Sequence, residues 1–301
     1  MNSRLLIIII SLALGSGIPT TVLAIPSTPP ARDPSLLELA SVKAMVVDTQ
    51  TNEVIYAFNP DTVVAIASIT KLMTAMIVLD EGDPLDEMIS VKIDQTSELN
   101  NVFSRLRIGS VASRRTLLLL ALMSSENRAT ASLAHHHSGG YAAFITKMNA
   151  KAASLGMKNT RFVEPTGLSE RNVSTARDLT LLVQAAARYP LINQLSTTPK
   201  KDIQFKKPSY ILAFYNTNPL VLNEHWNIQL TKTGFINVAG RCLVMLTNIN
   251  DRPLAVVLLD SFGKRSPVGD ASRIKQWLET GRGMHVPPAA KAYHQRKVSE
   301  I

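Results

Sequence analysis

The sequence lacks the means to form a disulfide bond. Its 301 residues include a single cysteine, Cys242, and one thiol cannot pair within the chain. Cys242 lies in the apolar, strand-like run of residues 242–246, where a thiol is usually a small buried side chain and not a reactive group. A fold held together by disulfides is therefore excluded.

Aromatic residues are also scarce, at 5% of the chain, although the formal net charge is +9. Proteins that bind nucleic acids commonly combine clustered basic residues with aromatic side chains, and the sequence contains no such stretch. We therefore expect no nucleic-acid partner. The positive charge favours an anionic polymer as partner, or a loose association with a membrane surface.

Long hydrophobic runs are absent beyond the N-terminus. Residues 5–14 are almost entirely apolar, but the run is too short to prefer a membrane-spanning helix. Arg4 precedes it, and residues 22–24 have the small-residue pattern of a cleavage site. We predict that residues 1–24 are a secretory signal peptide, so that the protein is exported to the periplasm. An uncleaved N-terminal anchor is the competing interpretation.

The distribution of proline divides the rest of the chain. Residues 25–40 contain four prolines and are predicted to be a linker. Residues 41–282 are predicted to form one folded domain, since 46% of the chain is hydrophobic and 18% is charged. Residues 283–301 contain Pro287-Pro288 and scattered basic residues without an amphipathic period, and they are predicted to be a basic tail.

The order of the apolar patterns predicts an α+β fold. Two strand-like runs come first, a mainly helical middle follows, and three strand-like runs and a helix complete the domain. The predicted strands are residues 42–48, 54–58, 226–231, 241–249 and 254–260, and the predicted helices are 115–123, 127–137, 141–155, 175–189 and 270–280. The helix at 175–189 is expected to be capped by Ser174 and stopped by Pro190. The strands from the two ends can join in one antiparallel sheet, with the helices packed on its face and beside it.

Ser68 and Lys71 are the first candidate catalytic residues. They begin a helical run that is apolar on nearly every side, and such a helix is buried. Residues three apart share one helix face, and burial pushes an amine toward its neutral form. A hydroxyl beside such an amine is a nucleophile with its base. The same spacing recurs at Ser272 and Lys275, but among charged neighbours that indicate a solvated surface.

Two further motifs follow the Ser-x-x-Lys motif along the chain. Ser125-Glu126-Asn127 comes directly after a predicted buried helix, and Lys232-Thr233-Gly234 closes a predicted strand. Taken alone, the first motif is typical of a helix cap and the second of a glycine turn. The combination of all three in this order is typical of penicillin-binding proteins and class A β-lactamases.

The sequence resembles this family, and within it the D-alanyl-D-alanine endopeptidases of the low-molecular-mass penicillin-binding proteins. The closer resemblance lies in residues 67–76, 121–129, 161–168 and 226–235, and it extends over roughly residues 40–282. It implies a β-lactamase/transpeptidase-like fold, with a five-stranded antiparallel sheet, flanking helices and a mostly helical subdomain. It implies no cofactor and no metal.

The resemblance also implies a role for each motif residue. Ser68 would attack the D-alanyl carbonyl, Lys71 would take its proton, and Ser125 would pass a proton to the leaving amine. Asn127 would orient Lys71 and hold the substrate amide. The other implied substrate-binding residues are Lys232, Thr233, Gly234 and Phe235. The backbone N–H groups of Ser68 and Phe235 would form the oxyanion hole.

The implied activity is that of a periplasmic serine DD-endopeptidase that hydrolyses D-alanyl–diaminopimelate cross-links of peptidoglycan and is covalently inhibited by β-lactam antibiotics. A D-Ala-D-Ala carboxypeptidase is the main competing activity, because both substrates place a carboxylate beside the leaving amine. The larger carboxypeptidases of the family carry an additional C-terminal β-domain and an amphipathic anchor, and the expectation here is that this chain has neither.

A β-lactamase and a non-catalytic wall-binding protein are also compatible with parts of the pattern. In a β-lactamase, Glu164 would activate the deacylating water; it stands in the segment 162–168, which resembles the peptidase version. The wall-binding protein is disfavoured by three intact motifs. The three adjacent histidines His135, His136 and His137 lack the one-turn spacing of metal ligands on a helix, and they are expected to be packing or surface residues.

Overall fold

A five-stranded antiparallel sheet organises the computed structural model, which describes residues 32–100 and 102–301. The predicted signal peptide and the first part of the predicted linker, residues 25–31, lie outside the described residues. The strands are β1 (Ser41–Asp48), β2 (Val54–Phe58), β3 (Val64–Ala65), β4 (Met88–Ser90), β5 (Val111–Ser113), β6 (Val173–Ser174), β7 (Lys200–Phe205), β8 (Tyr210–Tyr215), β9 (Asn227–Ile236), β10 (Gly240–Ile249) and β11 (Arg252–Ser261). The large sheet has the order β2-β1-β11-β10-β9, which confirms the predicted fold class.

Eight α-helices surround this sheet in the described residues. They are α1 (Thr70–Asp80), α2 (Arg114–Met123), α3 (Asn127–His135), α4 (Gly140–Ser154), α5 (Ala176–Ala186), α6 (Pro190–Ser196), α7 (Ser266–Thr280) and α8 (Pro288–Ser299). None of them combines the length and the apolar character that a membrane-spanning helix needs.

Both faces of the sheet are covered, and this explains its almost continuous apolar strands. Successive side chains of β1 alternate between two cores: Met45 and Val47 pack toward the helical part, whereas Ala44 and Val46 pack toward α7. Trp277 of α7 is fully buried against the second face. Helix α1 is buried from Thr70 to Val78, as its apolar pattern predicts.

Two predicted features of the segment after residue 170 are wrong. Helix α5 is capped by Thr175, whose hydroxyl accepts a hydrogen bond from the Asp178 N–H at 3.0 Å, whereas Ser174 belongs to β6. The helix also ends at Ala186, and Pro190 begins α6. Proline is well suited to the first turn of a helix because it has no N–H to satisfy there.

Strand β9 continues through the Lys-Thr-Gly motif, whereas the sequence pattern predicted an end at Thr231. Gly234 is paired with Cys242 inside the sheet, and the strand reaches Ile236. The motif therefore forms the edge of the sheet instead of a turn. This edge position leaves one side of the motif available for a peptide backbone.

The segment predicted to be a basic tail contains helix α8. Only Ala290 of this helix is buried, so the helix has no amphipathic period for a sequence pattern to reveal. Polar contacts attach it to the body: the Tyr293 hydroxyl donates to Asp260 Oδ1 at 2.6 Å, and Lys291 Nζ donates to Glu38 Oε1 at 3.0 Å. His294 also stacks on Phe58.

Candidate active site

Ser68 lies in a short 3-10 turn, Ala67–Ile69, directly before α1. Ala67 has a φ of +48°, which is a strained backbone conformation for a residue with a side chain. Two glycines allow other segments to approach this turn closely. A Cβ at Gly167 would lie 1.9 Å from the Ala67 carbonyl oxygen, and one at Gly234 would lie 3.1 Å from the Ser68 nitrogen.

Lys71 extends from the first turn of α1 beneath Ser68. Its Nζ lies 2.8 Å from Ser68 Oγ, and it donates to Asn127 Oδ1 at 2.8 Å and to the Thr166 carbonyl oxygen at 2.6 Å. The side chain is fully buried. Burial lowers the pKa of Lys71 to about 8, although the charges of Glu164 and Glu126 act in the opposite direction.

Ser125 lies in the short connection between α2 and α3, and Asn127 is the first residue of α3. Ser125 has a φ of +59°, and the Glu126 carboxylate caps α3 by accepting a hydrogen bond from the Ala129 N–H at 2.7 Å. The cap position predicted for this motif is therefore filled by Glu126. Ser125 and Asn127, which flank this cap, face the two lysines of the site: Lys232 donates to Ser125 Oγ at 2.9 Å, and Lys71 donates to Asn127.

Lys232 enters the site from β9 and is as deeply buried as Lys71. Burial, and then the charge of Lys71, hold the pKa of Lys232 well below its usual value. The neighbouring Thr233 hydroxyl donates to Thr217 Oγ1 at 2.6 Å, which fixes its orientation. Two buried amines without a carboxylate among their hydrogen-bond partners make the floor of the site electropositive.

A cleft of about 740 Å³ opens above these groups. Six of the eight residues predicted from the sequence line it: Ser68, Ser125, Asn127, Thr233, Gly234 and Phe235. The other two, Lys71 and Lys232, reach Ser68 and Ser125 through hydrogen bonds from below. The structure thus brings together all eight predicted residues, although the sequence separates the first from the last by more than half the chain.

The cleft has further residues that the sequence pattern did not single out. Asn216 and Thr217 line it from the segment after β8, Arg241 lines it from β10, and Lys264 and Arg265 line it from the segment before α7. The Thr166 carbonyl oxygen, an acceptor for Lys71, was also missed. These residues form no sequence motif and recur at no regular spacing. Their basic or polar character is the one feature of the sequence that could have suggested a place in the site.

Glu164 is buried below the cleft and serves its own loop. Its carboxylate accepts five hydrogen bonds, which come from the Thr166 N–H and hydroxyl, the Gly167 and Ser169 N–H groups and the Asn172 amide. The residue does not line the cleft. Its geometry therefore supports a role in shaping the loop that presents the Thr166 carbonyl to Lys71.

The three adjacent histidines point toward different parts of the helical region. His135 Nε2 lies 3.4 Å from Thr96 Oγ1, His136 Nε2 lies 2.9 Å from the Ser90 carbonyl oxygen, and His137 packs edge-on against Phe144. Within the described ranges, no group of three or more potential metal ligands is brought together.

The chain is similar to several known proteins. A family model described as D-alanyl-D-alanine carboxypeptidase matches residues 28–263. The chain is 58% identical over 291 residues to the D-alanyl-D-alanine endopeptidase of Escherichia coli strain K12, with 97% of this chain and 94% of the relative covered.

Two solved structures with the same fold are a Streptomyces K15 DD-transpeptidase and penicillin-binding protein D2 from Listeria monocytogenes in its cefotaxime-bound form. The first has a TM-score of 0.74 at 26% identity and covers 80% of this chain and 98% of its own. The second has a TM-score of 0.70 at 26% identity and covers 81% of this chain and 99% of its own.

Proposed function

The chain belongs to the D-alanyl-D-alanine carboxypeptidase family and is a serine-type DD-peptidase, and we propose that it hydrolyses D-alanyl–diaminopimelate cross-links of peptidoglycan through an acyl-enzyme on Ser68. The observation that carries this proposal is the position of the buried Lys71 amine, 2.8 Å from Ser68 Oγ. A base at hydrogen-bond distance from a hydroxyl is the arrangement that nucleophilic catalysis requires.

Lys71 is the base in this mechanism. With a pKa of about 8, roughly one tenth of the amine is neutral at pH 7, far more than for an ordinary lysine. The neutral amine takes the Ser68 proton as Oγ bonds to the D-alanyl carbonyl carbon. Asn127 and the Thr166 carbonyl hold the amine in place throughout, since both contact Nζ.

Ser125 and Lys232 act on the leaving group. The C–N bond breaks as the Ser125 hydroxyl passes a proton to the departing amine, and Lys232, 2.9 Å from Ser125 Oγ, is placed to restore it. Lys232 and Thr233 also bind the carboxylate beside that amine. The attraction of a cation for a carboxylate is strong in this buried setting.

The carbonyl oxygen is stabilised by the backbone N–H groups of Ser68 and Phe235. A preorganised donor of this type typically contributes about 10²–10³-fold in rate. The substrate backbone would extend along the edge of β9, where Gly234 has no side chain to block it. Water then attacks the acyl carbon, the C–Oγ bond breaks, and the Lys71 ammonium returns its proton to Ser68 Oγ. The proton lost by the water passes through Ser125 to Lys232, so that both amines are reset as the acyl-side peptide leaves.

Endopeptidase action is favoured over carboxypeptidase action by the relative that matches 97% of the chain. Arg241, Lys264 and Arg265 also line the cleft, and their charge suits an acidic peptide substrate. A carboxypeptidase would need room for one D-alanine only. The family model carries the carboxypeptidase description, so this competing activity is measured alongside.

The decisive experiment is incubation of the purified protein with a cross-linked dimer muropeptide and, separately, with a pentapeptide monomer. We expect monomers from the dimer at a higher kcat/KM than D-alanine from the pentapeptide. Failure to release monomers would reject the endopeptidase proposal, and efficient D-alanine release alone would establish the carboxypeptidase.

Labelling with a fluorescent penicillin tests the nucleophile. Ser68→Ala should abolish the label, whereas Ser272→Ala, in the second Ser-x-x-Lys of the chain, should retain it. Ser272 is a matched control because its hydroxyl bonds only to the preceding helical turn, at the Val268 carbonyl. If the protein hydrolyses nitrocefin at a steady rate and Glu164→Ala abolishes this hydrolysis, the result would favour a β-lactamase instead. If the Ser68→Ala protein has the same effect in cells as the original protein, a non-catalytic wall-binding role would be favoured.

We also propose the boundaries and location that the sequence pattern predicts. Residues 1–24 would be removed on export, residues 25–40 would link the new N-terminus to the catalytic domain of residues 41–282, and the protein would act in the periplasm, loosely attached to the wall or membrane. The N-terminal mass of protein recovered from a periplasmic fraction tests this, and an intact Met1 would contradict it.

A further inference from the structure

The proposed roles fix the direction of the substrate along β9. The leaving carboxylate lies at Lys232 and Thr233, and the scissile carbonyl lies at the Phe235 N–H. The acyl-side peptide must therefore continue past Phe235, toward Ile236 and the turn at residues 237–239 that joins β9 to β10. This deduction rests on the proposed function.

A second pocket, of about 540 Å³, lies at this end of the strand. Val64, Ala65 and Val238 give it an apolar side, and Arg161, Arg171 and Glu170 line it with charge. It is separate from the cleft that contains Ser68, because the two share no lining residue.

Short backbone connections tie this pocket to the nucleophile. Ala65, three residues before Ser68, pairs with Val173 in the β3–β6 ladder, and the Arg161 N–H donates to the Val173 carbonyl at 2.9 Å. The Ile66 N–H donates to the Asn172 carbonyl at 3.1 Å. The pocket is thus built from the same segments that hold Ser68 in place.

The charges in the pocket are available to a ligand. Both arginines are exposed. In the described ranges, the arginines that form ion pairs with carboxylates are Arg114, Arg177, Arg252 and Arg273, and neither Arg161 nor Arg171 is among them. Glu170 is the one acidic residue that lines the pocket, and it would repel an anionic ligand.

We infer that this pocket is a binding site for the acyl-side peptide, and that Arg161 and Arg171 recognise its free carboxylates. The guanidinium group suits this role because its planar set of donors matches a carboxylate. The pocket would then select acidic peptides on the acyl side independently of the leaving residue. A stem with free carboxylates would then be a better substrate than an amidated one.

The test uses two synthetic peptides with the same scissile D-alanyl bond and the same leaving residue. In one, the acyl side carries a free glutamyl α-carboxylate; in the other, this group is an amide. For Arg161→Gln and Arg171→Gln, we expect kcat/KM on the carboxylate peptide to fall roughly two- to fivefold each, as is usual for exposed ion pairs. The amide peptide should be hydrolysed as by the original protein.

Three controls separate this effect from a general loss of function. Arg188→Gln changes an exposed arginine at the end of α5, outside both pockets, and should leave both peptides unaffected. Glu170→Gln should raise kcat/KM on the carboxylate peptide only. Acylation by a small fluorescent penicillin, which has no stem peptide, should be unchanged in every variant.

An equal loss on both peptides, or no loss on either, would overturn the inference while leaving the proposed function intact. If the unaltered protein hydrolyses neither peptide and takes up no penicillin, the proposed function itself fails, and the inference fails with it. A loss that is specific to the carboxylate peptide and shrinks at 1 M salt would support it, since screening weakens exposed ion pairs.

Discussion

Lys71 has three hydrogen-bond partners, and all of them are uncharged: the Ser68 hydroxyl, the Asn127 amide oxygen and the Thr166 carbonyl. None of these contacts carries a negative charge, and the charges of Glu164 and Glu126 offset only part of the loss of hydration that burial imposes on the ammonium form. The pKa of Lys71 therefore falls to about 8. The same burial that would make this lysine an unfavourable core residue makes it a base at near-neutral pH.

This shift predicts the pH dependence of acylation. Because the neutral amine is the active form, the acylation rate at saturating penicillin should rise about tenfold per pH unit below pH 8 and level off above it. Saturation keeps Lys232 charged, since a bound carboxylate favours the ammonium form. Stopped-flow fluorescence between pH 6 and 9 measures this.

Lys71→Arg should lose acylation because arginine stays protonated. A flat pH profile in the original protein would contradict the role of Lys71 as the base.

At the scale of elements, the site depends on a strained turn clamped by two other segments. The turn Ala67–Ile69 presents Ser68, the loop of Glu164 closes on it through Gly167, and β9 closes on it through Gly234. The five hydrogen bonds to the Glu164 carboxylate keep that loop in shape. The position of the nucleophile is therefore determined by packing between elements, and not by the turn alone.

Substitution of Gly167 by alanine tests this clamp. Gly167 has a φ of +82° and its Cβ would meet the Ala67 carbonyl oxygen, whereas Gly82 has a φ of +72° with open space around the corresponding position. Gly82→Ala should cost only the left-handed strain, about 1–2 kcal/mol of unfolding free energy. Gly167→Ala should cost more and also slow penicillin acylation at least about tenfold, because Ser68 must move.

Thermal unfolding and acylation rates of the two variants provide the measurement. Equal destabilisation in both, with normal acylation by Gly167→Ala, would show that the close approach to Ala67 does not matter. The comparison is matched because both glycines have positive φ and only one of them faces another backbone segment.

The sequence predicts those strands and helices that have a clear apolar pattern within their own residues. The strands β1, β10 and β11 and the helix α1 are apolar runs that remain buried in the structure. The sequence pattern does not predict helix α8, because tertiary polar contacts hold that helix in place. It does not predict α6 either, because a proline such as Pro190 indicates the end of one helix as well as the start of another. In the site, side chains within motifs are predictable from the sequence. The Thr166 carbonyl and the basic residues from β10 and from the segment before α7 depend on folding that no local pattern encodes.

At the scale of the whole molecule, the site lies where two parts of the chain meet. The helical part contributes Ser68, Lys71, Ser125 and Asn127, and the sheet contributes Lys232 with its neighbours. The sheet itself joins β1, from the start of the domain, to β11, from its end. Contacts of such long sequence separation form only when the chain is folded as a whole.

This arrangement predicts that activity and structure are lost together in denaturant. Trp277 is buried in the core between the sheet and α7, and the partly buried Trp226 packs against the same core. Tryptophan fluorescence therefore reports on that part, whereas far-UV circular dichroism reports mainly on the helices. We expect both signals and the capacity for penicillin labelling to share one transition midpoint in urea, because labelling requires the Lys71 and Lys232 sides in contact. Coincident transitions are the mark of two-state unfolding. Loss of labelling and of helical signal at a urea concentration where the tryptophan signal is still native would show instead that the helical part unfolds independently of the sheet.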